Sequence, residues 1–284
     1  MYCSEPVEDG NFLEAHVEDC LFGPLEAPPD VAQRLLKAAS TSVPWRARFL
    51  RTPLRPQAHT IQCHIRVHRN NLYELFTQNA EIPLCSAVRR SRFGLKDTFS
   101  IFPANLNDQV IARLERNFVG SKYTVIDVKN APLEIGAIQY AATFGNTPRQ
   151  MKVVIPTVSR TSDDSNNVFG TWRTDCYVSS SHNDSILSQI DTPDAFRVIG
   201  LVNKPPVWVD SMQAYCLDFG GRVDVASVKN FVLCPSGDLE KSLMVFGRTS
   251  DRQVFVMDFQ HPLSPVQAFA IALSSLDRHL VTFD

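Results

Sequence analysis

From residue 60 onward, apolar and polar positions alternate with a period of two. In "TIQCHIRVHR" (60–69) Ile61, Cys63, Ile65 and Val67 alternate with Gln62, His64, Arg66 and His68, the signature of a strand with one face in a core and one in water. Extended segments of similar character follow at "KYTVIDV" (122–128), "MKVVIP" (151–156), "FRVIGLVN" (196–203), "AYCLDF" (214–219), "VKNFVLC" (228–234), "SLMVFGR" (242–248) and "QVFVMDF" (253–259). Short strands at this spacing, separated by Asn, Asp, Gly and Pro, predict a mainly β protein, either a barrel or a sandwich.

One segment breaks this rhythm. In "PLSPVQAFAIALSSL" (262–276) Ser264 is a natural N-cap, Pro265 occupies the first helical position and Gln267 completes a capping box. The helix predicted over Val266 to Ser275 is apolar on nearly every side, so it needs cover all round. Ten residues span only about 15 Å, far short of a bilayer. With mostly strands available to wrap it, a closed sheet around the helix is the economical solution, because closure also removes exposed edges. A helix lying on an open sandwich is the weaker alternative.

The N-terminal region reads differently. Residues 1–30 carry eight acidic side chains and no Lys or Arg, mixed with scattered apolar residues, and end in "EAPPD". This composition predicts a disordered tail, and "DVAQRLLKAAS" after it predicts a short helix capped by Asp30. The domain plan is therefore an acidic tail with a short helix over 1–40 and one barrel domain over 41–284. No apolar run is long enough to span a membrane, and "MYCSEPVEDG" lacks the features of a secretory signal, so a soluble, cytoplasmic protein is expected.

Charge is unevenly distributed along the chain. The formal net charge of −2 conceals ten basic groups between residues 46 and 96 against only Glu74 and Glu81, whereas residues 97–284 hold 16 basic and 20 acidic side chains. Such a chain can hold a polyanion only through a patch. The densest part is "AVRRSRFGLK" (87–96), with Arg89, Arg90, Arg92 and Lys96.

Candidate chemistry is sparse. Seven cysteines without a C-x-x-C pair point to reduced structural thiols, and His64 and His68, about 13 Å apart on a strand, cannot share a metal ion. There is no G-x-S-x-G elbow or P-loop, and His182, His261 and His279 lack a carboxylate at diagnostic spacing. The expectation is a non-enzymatic protein with no metal or cofactor. Trp172, Trp208, Lys229 and Asn230 are expected to be structural, the tryptophans as core or loop anchors.

Six stretches carry a resemblance: "RPQAHTIQCHIRV" (55–67), "RNFVGSKYTVIDV" (116–128), "PRQMKVVIP" (148–156), "NKPPVWVDSMQAYCLDF" (203–219), "GGRVDVASVKNFVL" (220–233) and "QVFVMDFQHPLSPVQAFAIALSSLD" (253–277). In this order they resemble the tubby C-terminal domain, and the resemblance covers nearly everything after the acidic tail. It implies a twelve-stranded closed barrel threaded by the C-terminal helix. It also implies binding of phosphoinositides, notably phosphatidylinositol 4,5-bisphosphate, at a basic surface site. The implied role is a monomeric tether or adaptor at the cytoplasmic leaflet of the plasma membrane, acting on membrane-protein cargo in ciliary trafficking or moving to the nucleus.

The family's lipid-binding cations lie in a basic strand matched here by "RRSRFGLKDTFSIF" (89–102), which makes Arg89, Arg90 and Arg92 the implied ligands. Strand alternation would put Arg90 and Arg92 on one face about 7 Å apart, able to grip adjacent phosphates, with Arg89 turned away. A second family motif, "K-L-R-S-N", appears as "RLERN" (113–117): Arg113 and Asn117 match, but Glu115 replaces an arginine. Either Arg116 supplies that charge from the next position or the site binds phosphate less tightly. Lys122 matches the family lysine as an outer contact. The rival function for the same patch is a nucleic-acid-binding transcription regulator.

Overall fold

The structure, a computed structural model, describes residues 43–277 except 55, 57–58, 79, 91–97, 105–108, 129–132, 143–148, 161–171, 176 and 178–183. The acidic tail, the helix expected after Asp30, and Arg92 lie outside the described residues.

The alternating segments become antiparallel strands. In chain order they are β1 (Ile61–Val67), β2 (Leu72–Thr77), β3 (Cys85–Arg90), β4 (Thr98–Pro103), β5 (Ala112–Arg116), β6 (Lys122–Asp127), β7 (Leu133–Tyr140), β8 (Met151–Pro156), β9 (Val158–Arg160), β10 (Trp172–Thr174), β11 (Val198–Asn203), β12 (Val207–Val209), β13 (Ala214–Cys216), β14 (Phe231–Pro235), β15 (Met244–Arg248) and β16 (Val254–Phe259). Twelve of them close into a barrel in the order β1-β16-β15-β14-β11-β8-β7-β6-β5-β4-β3-β2. The pairs β9–β10 and β12–β13 form separate two-stranded sheets. Closure leaves the barrel without an open edge, the hazard that exposed strands otherwise carry.

Helix α1 (Val43–Arg51) precedes the barrel and helix α2 (Pro265–Leu276) ends it. All twelve residues of α2 are buried, because the inward residues of the barrel strands pack around it. Small and large side chains interleave along the helix, with Ala268, Ala270 and Ala272 beside Phe269, Ile271 and Leu273. That alternation lets strands approach closely on some sides while the large residues fill the remaining lumen.

Burial in an apolar lumen obliges the polar groups at both helix ends to find partners. At the N-terminus the Ser264 N–H donates to Gln267 Oε1 at 2.9 Å and Gln267 N–H donates to Ser264 Oγ at 3.4 Å. Gln267 Nε2 also donates to the Ile135 carbonyl of β7 at 2.8 Å, tying the cap to the wall. Helix α1 covers this end of the barrel: Phe49 and Leu50 are buried in the core, and Arg46 Nη1 donates to the Ala104 carbonyl at 2.6 Å.

The antiparallel order fixes a second, opposite rim. Strands β1, β3, β5, β7, β11 and β15 end there, and the next barrel strand begins there each time. The C-terminal end of α2 faces the same rim, with the Ser274 hydroxyl 2.8 Å from that of Tyr140 and Ser275 Oγ donating to the Lys229 carbonyl at 2.9 Å. Arg89, Arg90, Arg116, Lys122 and Arg149 all stand at this rim.

Of the two places expected for the tryptophans, core or loop, Trp208 takes the second. Trp208 is on the surface hairpin β12–β13, 46% exposed, with Nε1 donating to Asp210 Oδ1 at 2.8 Å and its ring edge-on to Tyr215. Asn230 is structural: its side chain accepts from the Arg248 N–H at 3.0 Å and donates to the Val225 carbonyl at 2.9 Å. No described helix is long and apolar enough to cross a membrane.

Candidate functional site

Strand parity divides the cationic rim into an inner and an outer set. On β3, Cys85 and Ala87 face the core, so Arg89 points inward and Arg90 outward. On β5, Ala112 and Leu114 face the core, which sends Arg116 inward and Arg113 and Glu115 outward. On β6, Tyr123 and Val125 are buried, and Lys122 and Thr124 belong to the outer face.

The inner set converges on Asp277, the C-cap residue of α2, whose side chain is fully buried. Arg89 Nη2 lies 3.1 Å from Asp277 Oδ1, and Arg116 Nη1 lies 3.3 Å from Oδ2. The Tyr123 hydroxyl donates to Oδ2 at 3.0 Å. Burial first, and then the negative charge of Asp277, push the Tyr123 phenol above its ordinary range, so it stays a neutral donor. Arg149 completes the inner set, stacking over the Tyr140 ring at 4.0 Å and donating to Ser275 Oγ at 3.2 Å. A buried carboxylate shared by two guanidiniums and a phenol is a structural lock between the helix and the strands β3, β5 and β6.

The outer set is laid out by register. Arg90 pairs with Thr98, and Thr98 pairs with Glu115, which pairs with Thr124. Arg113 belongs to the adjoining row, opposite Ser100. Strand spacing and rise place the Cα atoms of Arg90 and Arg113 about 12 Å apart, within the combined reach of two extended side chains. Among the described residues no carboxylate forms an ion pair with Arg90, Arg113 or Lys122. Glu115 stands among these cations on the same face and opposes any anion that binds there.

Asn117 has a different job. Its Oδ1 accepts from the Ser121 N–H at 2.9 Å and the Lys122 N–H at 3.0 Å, closing the β5–β6 hairpin. The seven candidate residues, six matched by the resemblance and Arg116 as a substitute cation, are thus not one cluster. Arg90, Arg113 and Lys122 share the outer face, Arg89 and Arg116 face the lumen, Asn117 holds the turn, and Arg92 lies outside the described residues. Arg116 therefore does not place its charge on the outer face beside Glu115.

Other titratable groups are engaged separately. His64 stacks on Phe76, and His68 Nε2 lies 2.7 Å from Glu74 Oε2. Asp258, on the outer side of β16, receives Arg222 Nε at 2.6 Å and Nη2 at 2.9 Å, and that hydrogen bonding raises the already high pKa of Arg222. Among the described residues no group of three or more His, Cys, Asp or Glu side chains could hold a metal ion, and Cys63, Cys85, Cys216 and Cys234 are free thiols.

Sequence reasoning passed over Asp277 and Arg149. The available signal was Asp277 itself, an acid placed directly after an otherwise apolar helix, which requires a cationic partner if the helix is enclosed.

Residues 50–278 match the profile of the Tub family. Tubby-related protein 3 of Homo sapiens is 31% identical over 254 residues, covering 79% of this chain and 55% of that protein. Protein king tubby 2 of Culex quinquefasciatus is 38% identical over 209 residues, covering 69% of this chain and 47% of that protein. Protein king tubby of Drosophila pseudoobscura pseudoobscura is 38% identical over 178 residues, or 60% of this chain and 37% of that protein. The chain thus spans about half or less of the length of these curated relatives. With the closed barrel, its enclosed C-terminal helix and a profile match over most of its length, the chain belongs to the Tub family.

Proposed function

We propose that the outer face at the basic rim binds the phosphorylated headgroup of a phosphoinositide of the phosphatidylinositol 4,5-bisphosphate kind. By this means the barrel acts as a peripheral membrane tether or adaptor for membrane-protein trafficking. The observation that supports this most directly is that Arg90, Arg113 and Lys122 share one outer face with no described carboxylate paired to them. A rigid closed sheet fixes their spacing, so a ligand meets cations already arranged, and less side-chain entropy is lost on binding.

Magnitudes limit what charge alone can do. Each Lys or Arg near an anionic leaflet contributes about 1 kcal/mol, so three give about 3 kcal/mol, less than a millimolar affinity requires. Selectivity then has to come from the two arginines, whose planar forks can each take two phosphate oxygens. Glu115 weakens the site.

The test is co-sedimentation of the full chain with vesicles containing the bisphosphate. Arg90→Ala combined with Arg113→Ala is expected to abolish binding with little change in melting temperature, and Glu115→Gln is expected to tighten it. Wild-type binding by the double variant would reject this face. Equal competition by DNA at matched charge would favour the nucleic-acid reading instead.

A further inference from the structure

The β5–β6 hairpin carries two apolar residues at its tip. Phe118 is 91% exposed and Val119 48%, in a turn that is held rather than loose. Asn117 N–H donates to the Lys122 carbonyl at 2.9 Å, Asn117 Oδ1 accepts the Ser121 and Lys122 N–H groups, and the Ser121 carbonyl accepts the Tyr140 N–H at 2.8 Å. Gly120 supplies the left-handed step the turn needs, with φ at 76°. Those bonds hold the backbone of the turn, and the Phe118 ring stands exposed at its tip.

A single exposed apolar side chain is ordinary; its surroundings here are not. The tip projects from the basic rim, Lys122 follows it on the same hairpin, and Arg90 reaches the same rim two strands away. We propose that Phe118 and Val119 insert into the interfacial layer of an anionic phospholipid membrane while Arg90 and Lys122 engage its headgroup phosphates. This deepens, and rests on, the phosphoinositide reading of the outer face.

Charge complementarity selects this occupant. An anionic leaflet offers negative headgroups beside an apolar layer a few ångströms deeper, matching cations set behind a protruding apolar tip. The turn's polar backbone can remain at headgroup level while the two side chains descend. Two side chains are too few to anchor a protein alone, so insertion requires the cations, and neutral phosphatidylcholine vesicles should not bind.

Two probes separate insertion from headgroup recognition in the full chain: phosphatidylcholine vesicles doped with phosphatidylinositol 4,5-bisphosphate, and soluble inositol 1,4,5-trisphosphate. Phe118→Ala is expected to weaken vesicle binding about tenfold, as loss of a partly buried aromatic ring implies, and to leave trisphosphate binding and melting temperature unchanged. Phe118→Trp should retain vesicle binding and be quenched by brominated lipid more than the parent protein. Vesicle binding by Phe118→Ala equal to that of the parent overturns the proposal, and is also the result if the tip serves a protein groove. A parent chain that ignores the trisphosphate yet needs Phe118 to bind anionic vesicles refutes selective recognition of the inositol phosphates, and leaves insertion supported only by non-selective contacts of Arg90 and Lys122 with lipid phosphates. A parent chain that binds neither probe refutes both.

Discussion

Asp277 shows how a single side chain can govern a barrel end. Its carboxylate is buried against Arg89, Arg116 and Tyr123, so removing the charge strands two guanidiniums in a poorly solvated mouth. Asp277→Asn is therefore expected to destabilise the fold by about 3 kcal/mol, read from denaturant unfolding, and a loss below about 0.5 kcal/mol would show the lock to be dispensable. Alternation in "CSAVRR" already separates Arg89 from Arg90, so the inward turn of one and the outward turn of the other were legible in the chain. The partner of Arg89 was not, because the contact joins residues far apart in sequence and depends on where the helix ends. Arg116 illustrates the same limit: next to Glu115 in sequence it looks like a substitute cation, but one step along a strand reverses the face.

At the scale of elements, α2 is the organising piece. Its capping box, its first-position proline and its all-round apolarity could be read directly from "SPVQAFAIALSS", and the observed Pro265–Leu276 differs from the expected span by one residue at each end. Phe269 is completely buried in the core formed by α2 and the barrel wall, and a closed wall has little freedom to collapse inward. Phe269→Ala should accordingly cost about 3–5 kcal/mol in equilibrium unfolding; a cost under 1 kcal/mol would mean the helix is not the true core. Strands such as β8 and β16 were clear because β-branched and aromatic residues alternate or run together between turn residues. Strand β5, "ARLER", and helix α1, "VPWRARFLR", gave little signal, since both are short and rich in arginine. Tertiary packing rather than local preference decides their state.

For the whole molecule, closure gives a rigid wall with α1 over one end and a basic rim at the other, and the expected surface chemistry follows from that polarity. Stability should depend on pH in a defined direction. Burial first, and then Arg66, hold His64 below its ordinary value, and burial similarly lowers His261. The unfolded chain therefore takes up protons first as pH falls through about 6.5, and folding loses stability below that point. Thermal melts should show a falling melting temperature from pH 6.5 to 5, reduced in slope by His64→Gln; a flat profile would contradict the assignment. The presence of a closed sheet followed from the strands and the apolar helix together, and the basic stretch from the charge distribution, whereas the number of strands and the expectation of a phosphoinositide ligand came only with the family resemblance. Headgroup recognition by the rim is tested most sharply by comparing vesicle binding of the full chain to phosphatidylinositol 4,5-bisphosphate and to phosphatidylinositol 4-phosphate, at equal surface charge and fixed salt. Fixed arginine geometry predicts a clear preference for the bisphosphate that disappears in Arg90→Ala; equal binding to both lipids would mean that the rim senses charge alone.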